Sequence, residues 1–165
     1  MYYFYNGTKF SKEYLPFKKF RFCIENILNL NIDFKKLNEV QTNDTLIIFS
    51  YDIYNPVNIL DNLLNKNYKI LIINTENYLF RNIANMFRNI INKKNIYLIE
   101  YNVVNINLIK NDYKNINLKF LPLLYNPCLE NLYKEKFIPY LERKNDVLFC
   151  GSIGGRRKGL LNKIS

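Results

Sequence analysis

Residues 45–74 read TLIIFSYDIYNPVNILDNLLNKNYKILIIN, and the reading of this stretch decides the fold. It opens and closes on short apolar runs, TLIIFS and KILIIN, each of a length and composition suited to a strand buried on both faces. Between them, Asn55 and Pro56 supply a helix cap and a first-turn proline. Val57, Ile59, Leu60, Leu63 and Leu64 then fall on one face of the helix that follows. Strand, helix and strand in that order predict a parallel pair joined by a right-handed crossover.

The same rhythm continues outward. A second helical pattern places Leu79, Phe80, Ile83, Met86, Phe87, Ile90 and Ile91 on one side, with Arg81 and Arg88 on the other. Further apolar runs follow at 96–100 (IYLIE), 118–124 and 146–150. The expected fold is α/β, a Rossmann-like parallel sheet of about five strands with flanking helices. Toward the N-terminus the pattern predicts one amphipathic helix over about residues 12–30, running through Pro16, and a short helix near 33–39. Residues 127–145 carry a helical stretch, then Pro139 and the charged run Glu142, Arg143 and Lys144. This divides the chain into a Rossmann-like domain over 1–140, followed over 141–165 by a linker and the first strand and helix of a second, similar domain.

Composition narrows the function classes. With 165 residues and 19.9 kDa, the chain has material for one core and too little for two. Its 24 Lys+Arg against 14 Asp+Glu give a net charge of +10, which taken alone points to nucleic acid or an anionic membrane. The crowding of Ile, Asn, Lys, Tyr and Phe, all with AT-rich codons, accounts for part of that excess. The cations are also dispersed apart from 9–21 and 156–163, so they read as solvated surface. The 14 Tyr and 12 Phe, notably Tyr2, Tyr3, Phe4 and Tyr5 beside the basic 9–21 stretch, make a single-stranded nucleic-acid binder the rival from another class. No RNA-recognition motif, zinc-finger spacing or recognition helix accompanies them, and in a chain without Trp they read first as core volume.

Histidine is absent, which removes Ser-His-Asp triads, Cys-His pairs and imidazole metal sites. Three cysteines without a C-x-x-C pair read as reduced thiols of a cytoplasmic protein. No signal peptide and no apolar run of membrane-spanning length is read, although the basic, aromatic helix near Lys12 keeps a membrane surface among the partners.

Two constellations carry chemistry. Four of the five glycines, Gly151, Gly154, Gly155 and Gly159, crowd behind Val147, Leu148 and Phe149 and around Arg156, Arg157 and Lys158. The spacing is neither G-x-x-x-x-G-K-[ST] nor G-x-G-x-x-G. Two readings stand. In one, the Gly151 and Ser152 amides, the Ser152 hydroxyl and the Arg156 or Arg157 guanidinium surround a diphosphate-like anion at a helix start; in the other, a tight turn carries solvated cations. The second constellation is Asp52, Glu76 and Glu100, each at or just past the carboxyl end of an expected strand, where parallel sheets place ligands. Acids there also balance helix dipoles without any catalytic role.

The string DVLFCGS at 146–152, with Arg156, Arg157, Leu160 and Leu161 after it, resembles the opening of the donor-binding domain in glycosyltransferases of the two-Rossmann (GT-B) architecture. The likeness is greatest to single-chain sugar transferases of large DNA viruses and bacteria. The segments IIFSYD, KILIINTE, the strand ending at Glu100 and KFLPLLYNP are similar as well. The resemblance implies transfer of a sugar from a nucleotide-sugar donor to a glycan, lipid or protein hydroxyl. It places Gly151 and Ser152 near the donor diphosphate, with Arg156 and Arg157 beside them. A carboxylate, Glu76 first and Asp52 second, would serve as base. No cofactor and no metal is implied, and no D-x-D occurs. Because the rest of such a donor domain does not follow, a catalytically inactive fragment or binding module, or a half that works with a complementary C-terminal domain, is the alternative.

Overall fold

A computed structural model describes residues 1–54, 58–75, 81–90 and 92–121. All of these fall within one unit, Met1–Glu130. The domain boundary expected near 140 and the glycine-rich segment at 141–165 lie outside the described residues.

The apolar runs at both ends of residues 45–74 are strands, and four more join them. In chain order the elements are β1 (Tyr2–Tyr5), α1 (Lys9–Glu13), α2 (Leu15–Leu28), β2 (Phe34–Lys35), β3 (Thr45–Phe49), α3 (Ser50–Tyr54) and α4 (Asn58–Leu64). Then come β4 (Lys69–Ile73), α5 (Arg81–Ile90), β5 (Ile96–Glu100), α6 (Val103–Asp112) and β6 (Leu118–Phe120). The described strands form one sheet in the order β2-β1-β3-β4-β5-β6, and every neighbouring pair is parallel. The fold is therefore α/β and Rossmann-like.

Alternation along the central strands builds two cores, one on each face. Leu46 and Ile48 of β3, Ile70 and Ile72 of β4, and Ile96 and Leu98 of β5 face Leu63 of α4, Met86, Phe87 and Ile90 of α5 and Ile109 of α6. The intervening residues, Ile47, Phe49 and Ile73, turn to the other face and pack with Phe4, Phe17 and Ile32. Every residue of β3 is buried, as its uninterrupted apolar sequence demands of a central strand.

The N-terminal quarter differs from its sequence reading. The expected helix over 12–30 is two helices, broken at Tyr14, whose backbone is extended (φ −61°, ψ 118°). Pro16 explains the break: its ring lacks an N–H and would clash with the carbonyl four residues earlier, so it is accepted only in a first turn, where α2 holds it. The Lys12 carbonyl, near the end of α1, instead accepts from Arg21 Nη2 at 2.5 Å. Residues 33–39 do not form a helix; Phe34 and Lys35 pair with β1 as an edge strand, and the Phe34 ring tilts against Phe4 at 5.8 Å. Tyr2–Tyr5 is itself a strand, with Tyr3 and Phe4 buried, so two of those four aromatics fill core volume.

Candidate functional site

After β1 the chain moves to one side to make β2, then crosses back to make β3 on the other. Loops leaving the carboxyl ends of β1 and β3 therefore run in opposite directions, and such a topological switch point is where open parallel sheets bind ligands. Here the two loops are residues 6–8 and the start of α3, which carries Asp52 in its first turn.

The β1–α1 loop is tied on both sides of this point. Asn6 donates its amide to the Lys35 carbonyl of β2 at 2.8 Å, and Gly7 donates to the Tyr5 carbonyl at 2.9 Å. Thr8 donates its amide across the gap to Asp52 Oδ1 at 3.3 Å. Asp52 is 2% exposed, and its carboxylate lies directly over Gly7: a Cβ there would stand 2.6 Å from Cγ and 2.7 Å from Oδ2. Two neighbours feel that charge. The Tyr5 phenol is pushed above its ordinary value, first by burial and then by Asp52. Burial lowers the Arg21 guanidinium, while Asp52 pulls in the opposite direction. Arg21 is itself buried, its guanidinium 5.3 Å from the Phe34 ring centre and 5.7 Å from that of Phe49.

Next along the edge, hydroxyls join β3 to β4. Ser50 Oγ accepts the Thr75 amide at 3.0 Å and lies 3.3 Å from Thr75 Oγ1. Beyond them, Glu100 closes β5 with both oxygens engaged. Oε1 accepts the Tyr101 and Asn102 amides at 2.9 and 2.8 Å, and Oε2 accepts Asn74 Nδ2 and Asn105 Nδ2 at 2.6 and 3.1 Å. Glu100 is fully buried, and Asn102 caps α6 by accepting from the Val104 and Asn105 amides. The amides of the β5–α6 turn, a common anion cradle in such sheets, thus already serve an internal carboxylate.

Among the expected residues, Asp52 and Glu100 stand at the carboxyl edge where their positions after β3 and on β5 put them. Glu76 follows Thr75 directly but lies outside the described residues, as do Gly151, Ser152, Arg156 and Arg157. Gly7, Thr8, Ser50 and Thr75 were not singled out from sequence. A signal existed for the first: Gly7 is the one glycine outside the cluster at 151–159, and only Asn6 separates it from the aromatic run at 2–5. Among the described residues no group of three or more carboxylate or cysteine side chains gathers as a metal site. None of the described helices is long and apolar enough to cross a membrane.

The chain is 32% identical over 104 residues to the uncharacterized protein L137 of Acanthamoeba polyphaga mimivirus. The match takes in 63% of this chain and 13% of that much longer protein. No protein-family model matches, and no solved structure does.

Proposed function

We propose that this chain is the acceptor-side half of a sugar transferase that moves a sugar from a nucleotide-sugar donor to a hydroxyl acceptor. The observation that carries the reading is the chemistry of the sheet's carboxyl edge. Its turn amides at Thr8, Tyr101 and Asn102 are engaged by Asp52 and Glu100, and hydroxyls of Ser50 and Thr75 lie between them. An edge already supplied with internal carboxylates repels phosphate and suits an uncharged hydroxyl compound. The donor diphosphate then belongs to the basic, glycine-rich loop, with Gly151 and Ser152 offering amides and Arg156 and Arg157 offering charge. Glu76, next in sequence after Thr75, takes the acceptor's proton as the hydroxyl attacks the sugar's anomeric carbon and the nucleotide leaves.

The test is a screen of nucleotide sugars by calorimetry, followed by transfer assays on glycan, lipid and peptide hydroxyls, with this chain and any longer product of its locus. Glu76→Gln should lower turnover by about a hundredfold or more with donor affinity unchanged. Arg156→Ala with Arg157→Ala should weaken donor affinity by more than about tenfold. If no nucleotide sugar binds, the reading fails; binding to single strands that weakens steeply between about 50 and 200 mM salt would replace it with the nucleic-acid alternative.

A further inference from the structure

We infer that Asp52 is a positioning residue: its carboxylate latches the β1–α1 loop across the switch point, and residue 7 must be glycine because that carboxylate occupies the space a side chain would need. Three independent observations meet here. The Thr8 amide reaches over to Asp52 Oδ1, bridging segments 44 residues apart in sequence. A Cβ on Gly7 would fall within 3 Å of Oδ1, Cγ and Oδ2 alike, so the Asp52 side chain would have to turn its carboxylate away to admit it. Asp52 is 2% exposed on a short side chain, so it has little room to give. Gly7 does not occupy the left-handed region, so the demand for glycine is one of space and not of backbone conformation.

The loop is held from the other side by the Asn6 amide on the Lys35 carbonyl. Released from Asp52, the Thr8 amide would lose its tie across the switch point, and residues 6–8 would keep their links to β1, β2 and α1 without the one to α3. Asp52 therefore fixes the position of the loop that follows β1 at the switch point. The inference does not depend on sugar transfer, since the latch would serve any ligand bound at this edge.

A thermodynamic cycle on the full chain tests it. Ala at residue 7 with no clash would raise stability by restricting the unfolded chain, so even the sign of the effect is informative. Gly7→Ala should lower the folding equilibrium constant by more than about tenfold beside Asp52, but by less than about threefold in an Asp52→Ala background. Asp52→Ser takes the same place in the cycle if Asp52→Ala does not fold. As a local readout, hydrogen exchange at the Thr8 amide should quicken by at least about tenfold in Asp52→Ala. It should stay slow in Asp52→Asn, which keeps an acceptor oxygen, while amides of β4 and β5 exchange as before in both. An equal cost of Gly7→Ala in both backgrounds, a stabilising Gly7→Ala, or unchanged Thr8 exchange in Asp52→Ala would each overturn the latch.

Discussion

Glu100 holds four donors on two oxygens with no exposure to water, which makes it the most demanding polar residue of the described sheet. Glu100→Gln keeps the shape but replaces one acceptor by an NH2 group. Whichever way that amide turns, it faces either the Tyr101 and Asn102 amides or the Asn74 and Asn105 side chains, all of them donors. A loss of about 1–3 kcal/mol is expected in urea unfolding, the usual cost of buried hydrogen-bonding groups left unmatched. Tyr68 offers a pH test at the same scale. The residue is 2% exposed, and its phenol donates to the Leu37 carbonyl at 3.0 Å and is pushed up to about 12 by burial first and by Tyr5 second. The folded chain thus holds this proton more tightly than the unfolded one. The stabilisation is complete below about pH 10, the ordinary phenol value, and fades as pH climbs toward 12. Spectrophotometric titration should show a phenol ionising near pH 12 that is missing from Tyr68→Phe, and Tyr68→Phe should flatten the alkaline fall in stability; a Tyr68→Phe profile that falls as the parent's does would contradict this.

Among elements, α2 shows why docking and periodicity have to be separated. Its attachment rests on Phe17, 6% exposed, whose ring stacks on Phe49 of β3 at 4.6 Å and 15° and meets Tyr14 edge-on at 5.1 Å. Phe17→Ala should cost about 3–5 kcal/mol, since the facing Phe49 ring is left with a void that a helix anchored beside a proline break cannot collapse to fill. A loss under about 1 kcal/mol by calorimetry would show that α2 is held elsewhere. The amphipathic pattern over about 12–30 was legible in the sequence, but the break was not, because apolar periodicity continues past a proline at which the helix itself must stop. Strands β3, β4 and β5 were legible because each carries four consecutive apolar residues, buried at every position in β3 and at alternate positions in β5. The two-residue β2 was not, since so short a segment has no period and is specified by its partner β1. Helix α6 was also unread: its sequence mixes Asn among Val and Ile, and its clearest signal is the cap at Asn102.

At the scale of the whole sheet, strand order determines what the individual residues mean, and strand order is the least legible quantity of all. From sequence, Asp52, Glu76 and Glu100 were three acids at strand ends, with Glu76 the first choice as base and Asp52 the second. The order β2-β1-β3-β4-β5-β6 separates them, because the reversal falls between β1 and β3 and so singles out Asp52 and Gly7, while Glu100 sits three strands away from β1 with its oxygens filled. Nothing local to Gly7 announces that it will meet residue 52; the contact exists only because β1 pairs with β3. The same topology makes a mapping prediction that does not require turnover. In a titration with neutral methyl glycosides followed by amide NMR, shifts should gather at residues 6–8, 50–52 and 74–75, where loops leave the carboxyl edge and diverge. Residues of the opposite edge, such as Asp44, Lys69 and Asn95, should stay still, because their backbone and side-chain groups are spent on tying the strand starts together: Lys69 donates its amide to the Asp44 carbonyl, and Asn95 Nδ2 donates to the Lys66 and Tyr68 carbonyls. Sugar 1-phosphates added at equal concentration should shift the carboxyl-edge set less than the neutral glycosides do, since Asp52 and Glu100 already occupy the turn amides that a phosphate would seek. A stronger response to phosphate at residues 6–8 would mean that the Thr8 amide exchanges Asp52 for an outside anion, and it would count against the acceptor role proposed for this edge.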